Sequence, residues 1–332
     1  MPRGSGSGKA LLMVSDHHFD KGSEWLNGGL HPSERMDIVI VNWNSKLLLR
    51  ECIAALDQSS IASSLRVFVV DNASRDFSAC ALAATRIDIK LLHNRRNLGF
   101  AVGCNMGAAC GTAENIVFLN PDVRVERDTM EQILRFLNDR DNSAIGVVGI
   151  QLVDDKGNIH RSCARKPTSV ALLLRTMFLE RVVPRIVRPH FLAEWDHRDT
   201  RTVDQVMGAC LTIRRILFKR LGGFDERFFL YYEDLDLCIS AASQGWKVVY
   251  FPGAVAEHDG GGTTTAIPVR RIFYLANSRI KYALKWHGPL VAAILLVLTY
   301  AAEIPARFAL LWWKLVFSWW KKALCANIIS WV

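Results

Sequence analysis

Asn115-Ile116-Val117-Phe118-Leu119-Asn120-Pro121-Asp122 is an apolar, strand-like run that closes on a carboxylate just where the chain would leave a sheet. The same arrangement recurs upstream. The β-branched run Asp37-Ile38-Val39-Ile40-Val41 is followed by Asn42, and Arg66-Val67-Phe68-Val69-Val70 is followed by Asp71. A further run is Ile87-Asp88-Ile89-Lys90-Leu91-Leu92. Between the runs, Leu47, Leu48, Cys52, Ala55 and Leu56 share one side of a helical pattern, and residues 99–111 read as a helix of small residues. Apolar strands alternating with helices describe an α/β fold with a mostly parallel sheet covered on both faces. In such sheets ligands lie beyond the carboxyl ends of the strands, so Asn42, Asp71 and Asp122 are expected to line one cleft.

Further along, Phe228-Phe229-Leu230-Tyr231-Tyr232-Glu233-Asp234-Leu235-Asp236-Leu237-Cys238 sets three acids among aromatic and aliphatic residues at the start of a helix over 233–244. Acids in a first turn complement the helix dipole, but three exceed what capping needs. Carboxylates in such surroundings are candidates for proton transfer. A strand is expected over 246–251, with order also at 203–213. Residues 155–200, broken by Pro167, Pro184 and Pro189 and rich in arginine, read as a surface segment or insertion. A hard divalent cation takes oxygen ligands and needs few protein contacts when a diphosphate supplies the rest. Asp122 is one candidate ligand. His258, just before Asp259-Gly260-Gly261-Gly262, is another; magnesium seldom favours histidine, whereas manganese accepts mixed nitrogen and oxygen sets. Together these segments suggest a metal-assisted transfer enzyme.

The chain has 332 residues, 50% of them hydrophobic, and a mean hydropathy of +0.13, so it can bury a large core and a membrane-facing part is worth seeking. The net charge of +9 is uneven. Residues 161–188 hold seven basic residues against Glu180, and residues 270–322 hold nine against Glu303. That asymmetry points to anionic lipid, diphosphate or nucleic acid, and nucleic acid lacks any accompanying finger, basic-zipper or RNP pattern. The eight cysteines contain no C-x-x-C pair and fall largely in apolar runs, as reduced thiols of a cytosolic protein do. Residues 1–35 read as a mobile extension, with only 10–14 apolar, too short for a signal-peptide core. Residues 286–302 carry no charge, and 308–320 are rich in tryptophan around Lys314. Glu303, Pro305 and Arg307 interrupt this stretch, which predicts two shorter helices in one leaflet rather than a clean span. Trp312, Trp313, Trp319 and Trp320 with Lys314, Lys321 and Lys322 look like an interfacial belt. A dinucleotide fold lacks its G-x-G-x-x-G turn, a P-loop enzyme its G-x-x-x-x-G-K-[ST], and a hydrolase its G-x-S-x-G.

Seven short segments, in order, resemble glycosyltransferase family 2, of GT-A fold, and especially its rhamnosyltransferase-like branch. They are Val39-Ile40-Val41-Asn42-Trp43-Asn44, Val69-Val70-Asp71-Asn72-Ala73-Ser74, Asn97-Leu98-Gly99-Phe100-Ala101 with Gly103 and Asn105, and Leu119-Asn120-Pro121-Asp122. The others are Gly222-Gly223-Phe224-Asp225-Glu226-Arg227-Phe228-Phe229, Tyr232-Glu233-Asp234-Leu235-Asp236-Leu237-Cys238, and His258-Asp259-Gly260-Gly261. The resemblance implies a Rossmann-like GT-A domain over 36–268, with a donor half to about 125 and an acceptor half from about 126, followed by membrane-associated helices over 269–332. It implies a nucleotide-diphospho-sugar donor with Asn42 and Asp71 at the nucleoside, Asn97, Gly99 and Asn120 near the donor, and Gly208 and Ala209 at the sugar. Asp122 and His258 would hold Mg2+ or Mn2+. Asp234 would be the general base of an inverting displacement, with Glu233 as rival base or acceptor contact and Asp236 at the acceptor or the helix start. Asn120 stands where many relatives have Asp, and Ile239-Ser240 follows Cys238 where an Arg is common. The implied reaction moves rhamnose from dTDP-rhamnose, or alternatively a hexose from a UDP-sugar, onto a polyprenyl-diphosphate-linked saccharide. It would run at the cytoplasmic face of a bacterial inner membrane, with a homo-oligomer compatible and no nucleic acid. A non-catalytic membrane-bound subunit that binds nucleotide sugar is the alternative of another class.

Overall fold

The computed structural model describes residues 34–76, 78, 85–179, 190–258, 268–309 and 312–313. In chain order the elements are β1 (Met36–Asn42), α1 (Leu48–Asp57), β2 (Leu65–Asp71), β3 (Asp88–His93), α2 (Phe100–Ala109), β4 (Asn115–Leu119), β5 (Val123–Val125), α3 (Thr129–Asn138) and β6 (Ile145–Val153). Then follow β7 (Cys163–Ala164), α4 (Ser169–Thr176), β8 (Arg201–Thr202), β9 (Gln205–Val206), β10 (Cys210–Arg214), α5 (Arg215–Leu221), α6 (Glu233–Ser243), β11 (Lys247–His258), α7 (Pro268–His287) and α8 (Pro289–Leu298).

The main sheet runs β3-β2-β1-β4-β10-β6-β11-β5, with β8 beside β11. The first four strands are parallel, β10 lies antiparallel between β4 and β6, and β11 is parallel to β6. Strand pleating sends alternate residues to opposite faces. Ile38 and Ile40 of β1 therefore enter one core with Val67 and Val69 of β2, while Val39 and Val41 enter another with Phe68. The small residues of α2 are explained by close approach: a Cβ on Gly107 would lie 2.4 Å from Cγ1 of Val39. At the start of β1, the buried Asp37 accepts from Arg66 Nε at 2.9 Å, Arg215 Nη2 at 2.6 Å and the Ala113 N–H at 2.8 Å. Cys52, Cys104, Cys163, Cys210 and Cys238 are buried free thiols.

Three expectations change. The strand foreseen over 246–251 runs on to His258, and order over 203–213 is two strands, β9 and β10. Residues 155–200 are not a surface excursion in their described part: Cys163, Leu172, Trp195 and His197 are buried, and β7 pairs with β9. Prolines and arginines hide the periodicity there, but the apolar side chains between them still reach the core. Pro184 and Pro189 lie outside the described residues.

The C-terminal break is also absent. Residues 289–309 form one continuous helical segment, passing through a π-turn at Thr299–Glu303. By length and composition it is long and apolar enough to cross a bilayer. Glu303 does not end it because its carboxylate is buried in an ion pair with Arg279, and Arg307 Nη2 donates to its other oxygen at 2.8 Å. Most of the tryptophan and lysine belt, including Lys314, Trp319, Trp320, Lys321 and Lys322, lies outside the described residues, as does nearly all of the N-terminal extension. α7 and α8 do not stand apart from the sheet domain: Tyr282, Ala283, Ala292 and Leu295 share a third core with Phe228, Leu235 and Ile239.

Candidate active site

Parallel pairing brings Asn42 and Asp71 side by side, as the last residues of β1 and β2. Both are buried. Asn42 Nδ2 donates to Asp71 Oδ1 at 2.8 Å and faces Ser74 Oγ and Ser78 Oγ at 3.0 and 2.8 Å. Asp71 Oδ2 accepts from the Ser74 N–H at 3.2 Å and lies 3.4 Å from His93 Nδ1 at the end of β3. Asn72 donates to the Gly99 carbonyl at 3.0 Å, and Asn97 Oδ1 accepts from the Gly99 N–H at 2.9 Å. Gly99 has φ +92°, and a Cβ there would sit 2.6 Å from the Phe229 carbonyl oxygen. Only glycine suits such a backbone at such a close approach. The turn thus joins the strand ends to the aromatic stretch before α6.

Asp122 follows β4 through Asn120, whose N–H donates to the Ala209 carbonyl at 2.8 Å. Because β5 pairs antiparallel with β11, His258 stands opposite Val123, which brings its Nε2 to 3.6 Å from Asp122 Oδ1. Both side chains are buried. The separation is too long for a hydrogen bond and close to the roughly 3 Å between adjacent ligands each about 2.1 Å from one cation. Among the described residues no cluster of three or more His, Cys, Asp or Glu gathers. Asp259 and the glycines after it lie outside the described residues. His160, unmarked by any motif, has its ring 6.0 Å from that of His258.

The residue next to Ala209 completes the convergence. The Gly208 N–H donates to Asp234 Oδ2 at 3.0 Å, and the Leu235 N–H donates to Oδ1 at 2.7 Å. Burial raises the pKa of Asp234, while these N–H groups and the Gln205 side chain pull it back. Glu233 is different. Burial and the neighbouring Asp234 push its carboxyl well above the usual range, and its Oε2 has no hydrogen-bond partner among the described residues. Both preceding residues, Tyr231 and Tyr232, have φ of 69°, a left-handed conformation that costs about 1–3 kcal/mol per residue and persists only where surroundings impose it.

Asp236 is held by α7. Its oxygens accept from Lys285 Nζ at 2.8 Å and Trp286 Nε1 at 2.7 Å, both on α7. Each oxygen thus carries one hydrogen bond from α7, and the side chain is buried.

A family model described as glycosyl transferase family 2 matches residues 37–221, from β1 through α5, more than half of the chain. The chain belongs to glycosyl transferase family 2. This family 2 glycosyltransferase is 26% identical over 251 residues to the N-acetylglucosaminyl-diphospho-decaprenol L-rhamnosyltransferase of Mycobacterium tuberculosis (strain ATCC 25618 / H37Rv), covering 71% of this chain and 80% of that one. It is 27% identical over 143 residues to the rhamnosyltransferase WbbL of Escherichia coli (strain K12), covering 43% and 51%. Among solved structures, the mannosyltransferase PcManGT from Pyrobaculum calidifontis, in complex with GDP-Man and Mn2+, matches with a TM-score of 0.53 at 18% identity, over 88% of this chain and 85% of that one. The likeness establishes the GT-A fold.

The strand-end residues were legible in the sequence. Ser78 and His93 carry no motif, although a serine just past a strand that ends in Asp is a usable sign of a polar cradle.

Proposed function

We propose that this chain is an inverting, divalent-metal-dependent transferase that moves rhamnose from dTDP-rhamnose onto a polyprenyl-diphosphate-linked saccharide. The observation that carries it is the convergence of Asp234 on Gly208, beside the Ala209 carbonyl that ties down the loop bearing Asp122. The two relatives that act as rhamnosyltransferases support the sugar, and the mycobacterial name supports a lipid-diphosphate acceptor.

Asn42 and Asp71 bind the nucleoside, Gly99 and Asn97 border the donor, and Gly208 with Ala209 lines the sugar pocket. Asp122 and His258 suit a divalent cation, since His258 Nε2 lies 3.6 Å from Asp122 Oδ1 and one oxygen with one nitrogen is a set that Mn2+ accepts. When bound, the cation supplies positive charge to the departing diphosphate. Asp234 takes the proton of an acceptor hydroxyl as its oxygen bonds to the anomeric carbon from the face opposite the nucleotide; the bond to the diphosphate oxygen breaks, and the configuration inverts. The raised pKa improves Asp234 as a base, while the two N–H donors favour its charged form. The exposed apolar residues of the 289–309 segment seat the enzyme on the cytoplasmic membrane surface, where a lipid-linked acceptor is found.

The experiment is release of nucleoside diphosphate from dTDP-rhamnose and from UDP-sugars by the full chain, with N-acetylglucosaminyl-diphospho-decaprenol, with and without EDTA, beside Asp234→Asn. EDTA-sensitive turnover of dTDP-rhamnose, lost by about 10²–10⁴-fold in the variant while nucleotide binding survives, is expected. Turnover of a UDP-hexose alone would move the donor, and an active Asp234→Asn would remove the base.

A further inference from the structure

Helix α7 grips the acidic turn from Tyr274 to Trp286. Tyr274 stacks on Phe229 with ring centroids 4.6 Å apart, and Tyr282 lies against Tyr232 at 5.2 Å. Ser278 Oγ donates to the Leu230 carbonyl at 2.8 Å, and Lys281 Nζ to the Arg227 carbonyl at 2.7 Å. At the helix end, Lys285 Nζ bridges Asp225 Oδ2 at 2.9 Å and Asp236 Oδ2 at 2.8 Å, while Trp286 Nε1 donates to Asp236 Oδ1 at 2.7 Å. These contacts surround Tyr231 and Tyr232, the consecutive left-handed residues that lead into α6. Such a turn relaxes unless neighbours define it.

We infer that Lys285 and Trp286 are positioning residues for Asp234. By holding both oxygens of Asp236, one residue beyond Leu235 in the first turn of α6, they fix the rotation and depth of that turn, and with it the direction of the Asp234 carboxylate toward the acceptor. Among the described residues the Asp234 carboxylate is bonded by the Gly208 and Leu235 N–H groups and the Gln205 side chain, contacts that set its oxygens more than the helix that carries it. The segment beyond the family match at residue 221 is thereby a working part of the catalytic apparatus as well as the root of the apolar helix. The inference rests on the reading of Asp234 as base.

The test compares Lys285→Met, Lys285→Arg, Trp286→Phe and Asp234→Asn in the full chain, by initial rates with dTDP-rhamnose and N-acetylglucosaminyl-diphospho-decaprenol and by thermal unfolding. Lys285→Met is expected to lower kcat about ten- to a hundredfold with donor KM within about twofold, because misorientation of a base affects the transition state and not donor binding. Lys285→Arg should recover much of the loss, and Lys285→Met combined with Asp236→Asn should be no slower than either alone. Trp286→Phe keeps an aromatic ring at the position and removes the indole N–H, so it decides the matter if Lys285→Met fails to fold. Wild-type kcat in the folded variants, beside an inert Asp234→Asn, would overturn the positioning role alone. An active Asp234→Asn would overturn the base and the positioning role together.

Discussion

The backbone N–H of Gly208 donates to Oδ2 of Asp234 at 3.0 Å, and the approach is tight: a Cβ at Gly208 would lie 3.3 Å from Cβ of Asp234. Gly208→Val must therefore push the carboxylate or the β9–β10 loop aside. A fall in kcat of about tenfold or more, at nearly unchanged thermal stability, is expected; rates like those of the unchanged chain would mean that Asp234 works without this neighbour.

Asp122 and His258 meet only because β5 lies antiparallel on the end of β11. If they share a cation, His258→Ala should raise the Mn2+ concentration for half-maximal rate by about tenfold, some 1.4 kcal/mol in binding. The maximal rate at saturating Mn2+ should largely return. A metal titration of the EDTA-treated protein reads this directly, and an unshifted midpoint would remove His258 from the site.

Glu233 gives a pH signature of opposite sign to that of an ion-paired acid. Its folded pKa is raised by burial and by Asp234, so above the ordinary glutamate range the unfolded chain loses this proton while the folded one keeps it. Protons bound to the folded state make stability fall as pH rises through that window. Glu233→Gln carries no such proton and should be more stable than the unchanged chain at neutral pH, with the gap closing below pH ~4, the range in which an unfolded glutamate is itself protonated. Urea midpoints at several pH values test it, and a gap constant with pH would contradict it.

Asp37 is wholly buried between Arg66 and Arg215. Asp37→Asn removes the carboxylate that both guanidinium groups share, and about 3–5 kcal/mol of stability should be lost. Chemical denaturation measures it; a loss below about 1 kcal/mol would mean that water reaches the arginines.

Leu290, Val297, Tyr300 and Phe308 are exposed at 74%, 63%, 63% and 67% along the apolar helix, whereas Leu295 is fully buried against the domain. Truncating that helix would thus damage the core as well as any membrane contact. Leu290→Ser with Val297→Ser and Phe308→Ser should instead release the protein from anionic vesicles without lowering its thermal midpoint, each side chain contributing about 1.5–3 kcal/mol when buried in lipid. Unchanged cosedimentation would argue against this face as the attachment.

The alternation of strands and helices is legible in the chain itself, because β-branched runs and helical periodicity are local properties. It therefore placed Asn42, Asp71 and Asp122 at strand ends, and parallel pairing alone brings the first two together. Tertiary structure decided the fate of the charges. Asp236 reads as a third acid of the site, yet Lys285 and Trp286 hold it; Glu303 reads as a helix break, yet Arg279 and Arg307 bury it inside a continuous helix. The arginine-rich stretch after residue 155 looks like surface and still sends Leu172 and Trp195 into the core. A charge advertises its cost in the sequence, but the partner that offsets the cost is a long way along the chain, and only folding shows which one it is.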